Sequence, residues 1–86
     1  MTDRKKTLTF YVVLVEPKYS GNVGAVARTM MNFDIENLYL VHPCELDTVG
    51  YARAMHAAQI LDHAKIFPSF KEAIKGLDYL VATSSV

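Results

Sequence analysis

The sequence has no tryptophan, a single cysteine and no surplus of either charge. With Cys44 alone, no disulfide forms within the chain, and no cysteine–histidine set has the spacing of a zinc site. A lone thiol fits a reducing compartment. As a nucleophile, Cys44 would need a partner base, and none is evident in the residues around it. No apolar run approaches the roughly 20 residues of a membrane-spanning helix, and no signal-peptide pattern is present. The expectation is a cytoplasmic protein with no membrane and no metal partner. Nine basic and nine acidic side chains cancel, so bulk charge does not announce a nucleic-acid ligand, although a local patch is enough to bind one. The one basic cluster, Arg4, Lys5 and Lys6, reads either as a solvated terminus or as a phosphate-contacting arm.

Half of the 86 residues are apolar, which suits one small domain with a real core. A chain this short buries only about 60–65% of the surface its unfolded form exposes, so it gains from a partner or from further sequence. Residues 8–15 (LTFYVVLV) form an unbroken β-branched and aromatic run, the pattern of a strand buried on both faces. A Pro/Gly-containing loop follows, then a helix expected from about Asn22 to Phe33, with Asn22 as its cap. Residues 37–41 (NLYLV) read as a second strand. A helix capped by Thr48 runs to about Ala57, and residues 58–61 make another helical turn. A third strand is expected at 64–67 and a helix at 70–75, capped by Ser69 with Glu72 at capping-box spacing and ended by Gly76. A fourth strand at 79–83 leads into Thr83, Ser84 and Ser85. Strands alternating with helices predict an α/β fold: three layers, α/β/α, around a parallel sheet with right-handed crossovers. Ligands of open α/β sheets bind beyond the carboxyl ends of the strands, and Val86 follows the fourth strand closely, so the chain reads as the first part of a longer domain.

The informative segment is EPKYSGNVGAVAR, residues 16–28. Gly21 and Gly24 do not make a G-x-G-x-x-G fingerprint, and no Gly-Lys-Ser/Thr step is present, so neither dinucleotide nor P-loop binding is indicated. At 100° per residue, Val23, Val26, Ala27, Met30 and Phe33 share one side, expected to pack on the sheet. Arg28 lies nearly opposite, beside Gly24, Ala25 and Asn32. It is either an ordinary solvent-facing arginine or a guanidinium held in a partly enclosed site, where it would suit a phosphate or a developing oxyanion. Glu16, at the end of the first strand, is either a loop carboxylate or a support for such a site. His42, His56 and His63 are scattered, and Met30 and Met31 read as core or interface filler.

Strand, loop and helix together, VLVEPKYSGNVGAVARTMMNF followed by NLYLVHP, resemble the first motif of the SpoU/TrmH class of RNA 2′-O-ribose methyltransferases in the SPOUT superfamily. ARAMHAAQIL and DYLVATSS extend the similarity over nearly the whole chain. The resemblance implies a Rossmann-like first half of a SPOUT domain, residues 1–86, whose carboxyl-terminal trefoil knot is not in this sequence. It implies S-adenosyl-L-methionine as methyl donor, a tRNA or rRNA ribose as acceptor, and a homodimer. It assigns catalysis to Arg28 with Asn22 in support, places Gly21, Gly24 and Glu16 around the site, and starts the cofactor pocket at Thr83, Ser84 and Ser85. Asp34 stands where the family usually has glycine, at a position expected to be left-handed. Two other readings stay open: a non-catalytic α/β module that binds RNA or dimerises, and a flavodoxin-like or nucleotide-binding domain for a small molecule.

Overall fold

The computed structural model describes residues 9–77 and 79–84; Arg4, Lys5, Lys6, Ser85 and Val86 lie outside these. The elements alternate along the chain: β1 (Phe10–Val15), α1 (Ser20–Asn32), β2 (Asn37–Val41), α2 (Thr48–Ala54), a 3₁₀ turn (Met55–Ala57), α3 (Ala58–Asp62), β3 (Lys65–Phe67), α4 (Phe70–Ile74) and β4 (Tyr79–Ser84). All strand pairs are parallel and the sheet order is β3-β2-β1-β4. β1 is therefore central, as its continuous apolar run requires. Its pairing with β4 slips by one residue between Tyr11 and Val12.

Strand alternation divides the core between two faces. Val12 and Leu14 of β1 and Leu38 and Leu40 of β2 pack against α1, α2 and α3, through Val23, Ala27, Met30, Ala54 and Ile60. Val13 and Val41 point the other way, to Ala73 of α4, with Tyr39, Phe67, Ile74 and Leu77 around them. This is the expected α/β/α arrangement. The chain moves outward from β1 to β2 to β3 with its helices on one face, then returns past both to β4 with α4 on the other. Crossovers of one hand require that change of face when direction reverses. The reversal lies between β1 and β4, so their carboxyl ends flank the crevice where doubly wound sheets take ligands.

Several local expectations need correction. α1 starts at Ser20, not Asn22; its N-cap is Tyr19, which has no side-chain cap bond, and Asn22 is exposed within the first turn. Asp47, not Thr48, caps α2, its carboxylate accepting from the N–H groups of Val49 and Gly50. The helix expected to reach Ala57 breaks at Met55. Phe33 does not join the core: it follows the last residue of α1, where the chain turns away, and it is 70% exposed. Other expectations hold. Ser69 caps α4 through the N–H of Glu72, and Gly76 and Asp34 both adopt left-handed backbone, φ 78° and 59°.

Candidate functional site

Two helices define the surface around Arg28. Ser20 and Gly24 of α1 meet Gly50 of α2 at a crossing where backbone touches backbone. A β-carbon on Gly24 would collide with the carbonyl oxygen of Gly50, and one on Gly50 would collide with Ser20 Oγ. Ser20, almost fully buried, accepts a hydrogen bond from the backbone N–H of Asp47 at 3.0 Å. Its hydroxyl, foremost, and the N–H groups of Gly50 and Val49 hold the Asp47 carboxyl below its ordinary value against a smaller opposing effect of desolvation. Gly24, small and beside Arg28 on the helical projection, leaves room for a close approach. It does admit a backbone, but that backbone is the chain's own α2, so Gly24 serves the scaffold.

The crossing leaves the rest of α1's outer surface uncovered. Asn22, Ala25, Arg28, Thr29 and Asn32 are all exposed. Arg28 makes no hydrogen bond or ion pair among the described residues. It borders a hollow of about 200 Å³, shared with Met31 and Asn32 of α1 and residues 54–57 of the segment where α2 gives way to the 3₁₀ turn. On its other side α1 borders an apolar groove of about 410 Å³, formed with Val12, Val26, Met30, Phe33 and Ile35.

Among the described residues, the predicted site residues border different hollows. Gly21 lies at the carboxyl edge of the sheet, in a hollow of about 300 Å³ with Lys18, Tyr19, Cys44, Glu45 and Asp47. Arg28 is seven residues further along, about 10 Å at helical rise. Asn22 and Arg28 are about 120° apart around the axis and about 9 Å apart along it, so both border the open surface without lining one pocket. Glu16 follows β1 in left-handed conformation, φ 50°, its side chain exposed and its N–H bonded to the carbonyl of Val41 at 2.7 Å. His42, at the matching end of β2, is left-handed too, φ 47°. Thr83 and Ser84 pair in the sheet with Val13 and Leu14, at the carboxyl end of β4 beside β1; Ser85 lies outside the described residues. A hollow of about 260 Å³ near Asn37, His63 and Lys65 sits at the amino ends of the strands, the edge away from the crevice. Among the described residues no three His, Cys, Asp or Glu side chains are grouped to hold a metal.

Sequence reasoning missed Arg53 and the break at Met55. Arg53 lies over Gly21 and Gly24, its Nη1 3.7 Å from where a Gly21 β-carbon would stand. Met55 has φ 55° and ψ −119°, a conformation that a non-glycine residue rarely takes. Nothing in ARAMHAAQ signals it, because alanine, arginine and methionine are all good helix formers.

Comparison with known proteins places these features in a wider group. The family model described as "SpoU rRNA Methylase family" matches residues 9–85. The chain is 51% identical over 74 residues to the tRNA (cytidine-2′-O-)-methyltransferase TrmJ of Methanocaldococcus jannaschii, covering 85% of this chain and 32% of that protein. It is 37% identical over 75 residues to the tRNA (cytidine/uridine-2′-O-)-methyltransferase TrmJ of Salmonella typhimurium, covering 86% and 31%. The solved structure of TrmJ from Z. mobilis superposes with a TM-score of 0.71 at 31% identity, over 79% of this chain and 30% of that one. The chain thus spans about a third of the length of the relatives it matches.

Proposed function

Because the chain belongs to the SpoU rRNA methylase family, we propose that it forms the first part of an S-adenosyl-L-methionine-dependent RNA 2′-O-ribose methyltransferase, with tRNA as the substrate class. The observation that carries this reading is α1. The family match runs through it, and it presents Asn22 and Arg28 on an open surface, with Arg28 engaged by nothing among the described residues. A guanidinium left free on a surface that the fold keeps open is available to a substrate.

The donor would sit at the carboxyl ends of β4 and β1, in the crevice where the strand order reverses. Thr83 and Ser84, whose backbone pairs with Val13 and Leu14 of β1 at that edge, support this reading by residue type, both being small and hydroxyl-bearing. Bound there, S-adenosyl-L-methionine supplies an activated methyl group. The chain's own residues do the rest. Arginine side chains keep their positive charge in proteins. Arg28 therefore acts by holding the phosphate beside the acceptor ribose and by stabilising the 2′ oxygen as negative charge develops on it, while the 2′ proton passes to solvent water as the oxygen is methylated. Asn22, an amide on the same surface, supports the substrate. Arg28 lies about 10 Å down α1 from the strand tips, so in this reading it reaches the donor of a second subunit. The open face of α1, with its adjoining apolar groove, is where that homodimer would form.

The test is methyl transfer from S-adenosyl-L-methionine to tRNA transcripts by the full-length protein, with the product mapped by mass spectrometry of nucleosides. A 2′-O-methylated nucleoside that vanishes in Arg28→Ala is expected. RNA binding without methyl transfer would favour the non-catalytic module instead.

A further inference from the structure

We infer that the hollow beside Arg28 is a phosphodiester subsite for the RNA substrate, with His56 as a second contact that the helix break at Met55 presents. The identity of the ligand as RNA rests on the methyltransferase reading; the hollow itself does not.

The hollow of about 200 Å³ is bordered by three side chains able to donate hydrogen bonds: Arg28, Asn32 and His56. All three are exposed, and none bonds to another described group. Among the described residues no carboxylate lines it. Ala54 and Ala57, both fully buried, close its inner side and add no bulk. A cation and two further donors around a space without acidic side chains suit an anion, and the fixed fork of arginine suits phosphate in particular.

The backbone supports this assignment. If α2 ran on as one helix to Asp62, His56 would take its direction from α2. Instead, Met55 turns to φ 55° and the chain re-forms as a 3₁₀ turn carrying His56, while Ala57 and Ile60 still reach the core. A non-glycine residue in such a conformation is unfavourable unless the surrounding structure enforces it, and outliers of this kind cluster at ligand clamps. Met55 is itself 53% exposed, so packing of its side chain does not explain the turn. On the other side of the α1–α2 crossing, Arg53 lies across Gly21 and Gly24. Arg53, Arg28 and His56 thus follow the seam between the two helices, a path suited to successive phosphates of one strand.

The test measures binding of a tRNA transcript to the full-length protein by fluorescence anisotropy across 50–300 mM KCl, beside the methyl-transfer assay. His56→Ala is expected to weaken binding about three- to tenfold, with His56→Gln recovering part of the loss through its amide. Arg28→Ala is expected to reduce the slope of log affinity against log salt by about one, the signature of one lost phosphate contact. Met55→Gly relieves the strain and keeps the turn, because glycine adopts a positive φ without steric cost, so it should melt no lower than wild type and bind RNA as wild type does. Wild-type affinity in His56→Ala would overturn the subsite, whatever the methyl-transfer assay shows. Weakened binding in a protein that transfers no methyl group would keep the subsite and overturn the enzymatic reading. A wild-type protein that does not bind RNA overturns both.

Discussion

Gly24 and Gly50 face each other across the α1–α2 crossing with no room for a side chain on either. Whatever α1 presents to a substrate depends on that contact, because it fixes the segment carrying Met55 and His56 against the helix carrying Arg28. Added atoms here meet backbone, which cannot rotate out of the way. Gly24→Ala and Gly50→Ala should each destabilise the protein by about 1–3 kcal/mol, as overpacking of a tight site does, read as a fall in the denaturant midpoint. Gly21→Ala is the control. Its added carbon would stand 3.3 Å from a movable Val49 methyl, and replacing a helical glycine by alanine offsets part of any strain.

The same junction sets a pH dependence. Asp47 has its carboxyl held below the ordinary value of 3.8, first by the Ser20 hydroxyl and then by the N–H groups of Gly50 and Val49. A carboxyl with a depressed folded-state pKa contributes stability that is present above its unfolded value and disappears as pH falls through the folded one. The start of α2 should therefore loosen in acid, below about pH 4. Ser20→Ala should move the Asp47 titration, followed by carboxyl-carbon NMR, up toward its ordinary value. An unchanged titration would show that the hydroxyl does not hold this carboxylate.

A second polar tie spans the helix break. Tyr51 of α2 donates its hydroxyl to Asp62 Oδ1 of α3 at 2.9 Å. That hydrogen bond, with smaller effects of desolvation and of the carboxylate's charge, raises the phenol above its ordinary value of 10.0. The contribution is present below that pH and lost as pH rises through the raised value, the reverse of Asp47. Ultraviolet titration of Asp62→Asn should show one tyrosine ionising at lower pH than in wild type.

The order of elements and the sheet were legible because each rests on local chemistry. The apolar run ending at Val15 marks a central strand, Ser69 and Gly76 bound α4, and the spacing of Val23, Ala27 and Met30 turns one face of α1 to the sheet. The direction of Arg28 followed from the same periodicity. What escaped depends on contacts between residues distant in sequence. Nothing near Gly24 says that Gly50 will cover it. Asp47 and Thr48 are both good caps, and the choice of Asp47 goes with its N–H reaching Ser20, 27 residues away. Phe33 has the right angle on the helical wheel but comes one residue after the helix ends. The predicted sites at Glu16, Gly21 and Arg28 are close in sequence yet spread from the loop after β1 along α1, and helical rise alone already required the separation of Gly21 from Arg28.

Asp34 offers a test of the turn that ends α1. It sits at φ 59°, where glycine carries no steric penalty and aspartate carries a moderate one. Asp34→Gly should raise stability by about 0.5–1 kcal/mol, measured by denaturant unfolding, with RNA binding unchanged. Asp34→Val, β-branched at a left-handed position, should lower it by more than that.

The decisive chemical prediction concerns the shape of the cation at position 28. Arg28→Lys keeps the positive charge and loses the planar pair of donors. If the side chain only attracts RNA, lysine should restore most of the activity that Arg28→Ala loses. If it holds a phosphate in one orientation while charge grows on the 2′ oxygen, charge alone is insufficient. Loss of a preorganised donor of that kind costs about 10²- to 10³-fold in turnover. The full-length Arg28→Lys protein should therefore fall into that range in kcat, with a much smaller change in RNA affinity and its salt dependence still near wild type. Near-normal turnover from the lysine variant would mean that the position needs only a charge, and the geometric role assigned to the guanidinium would have to be given up.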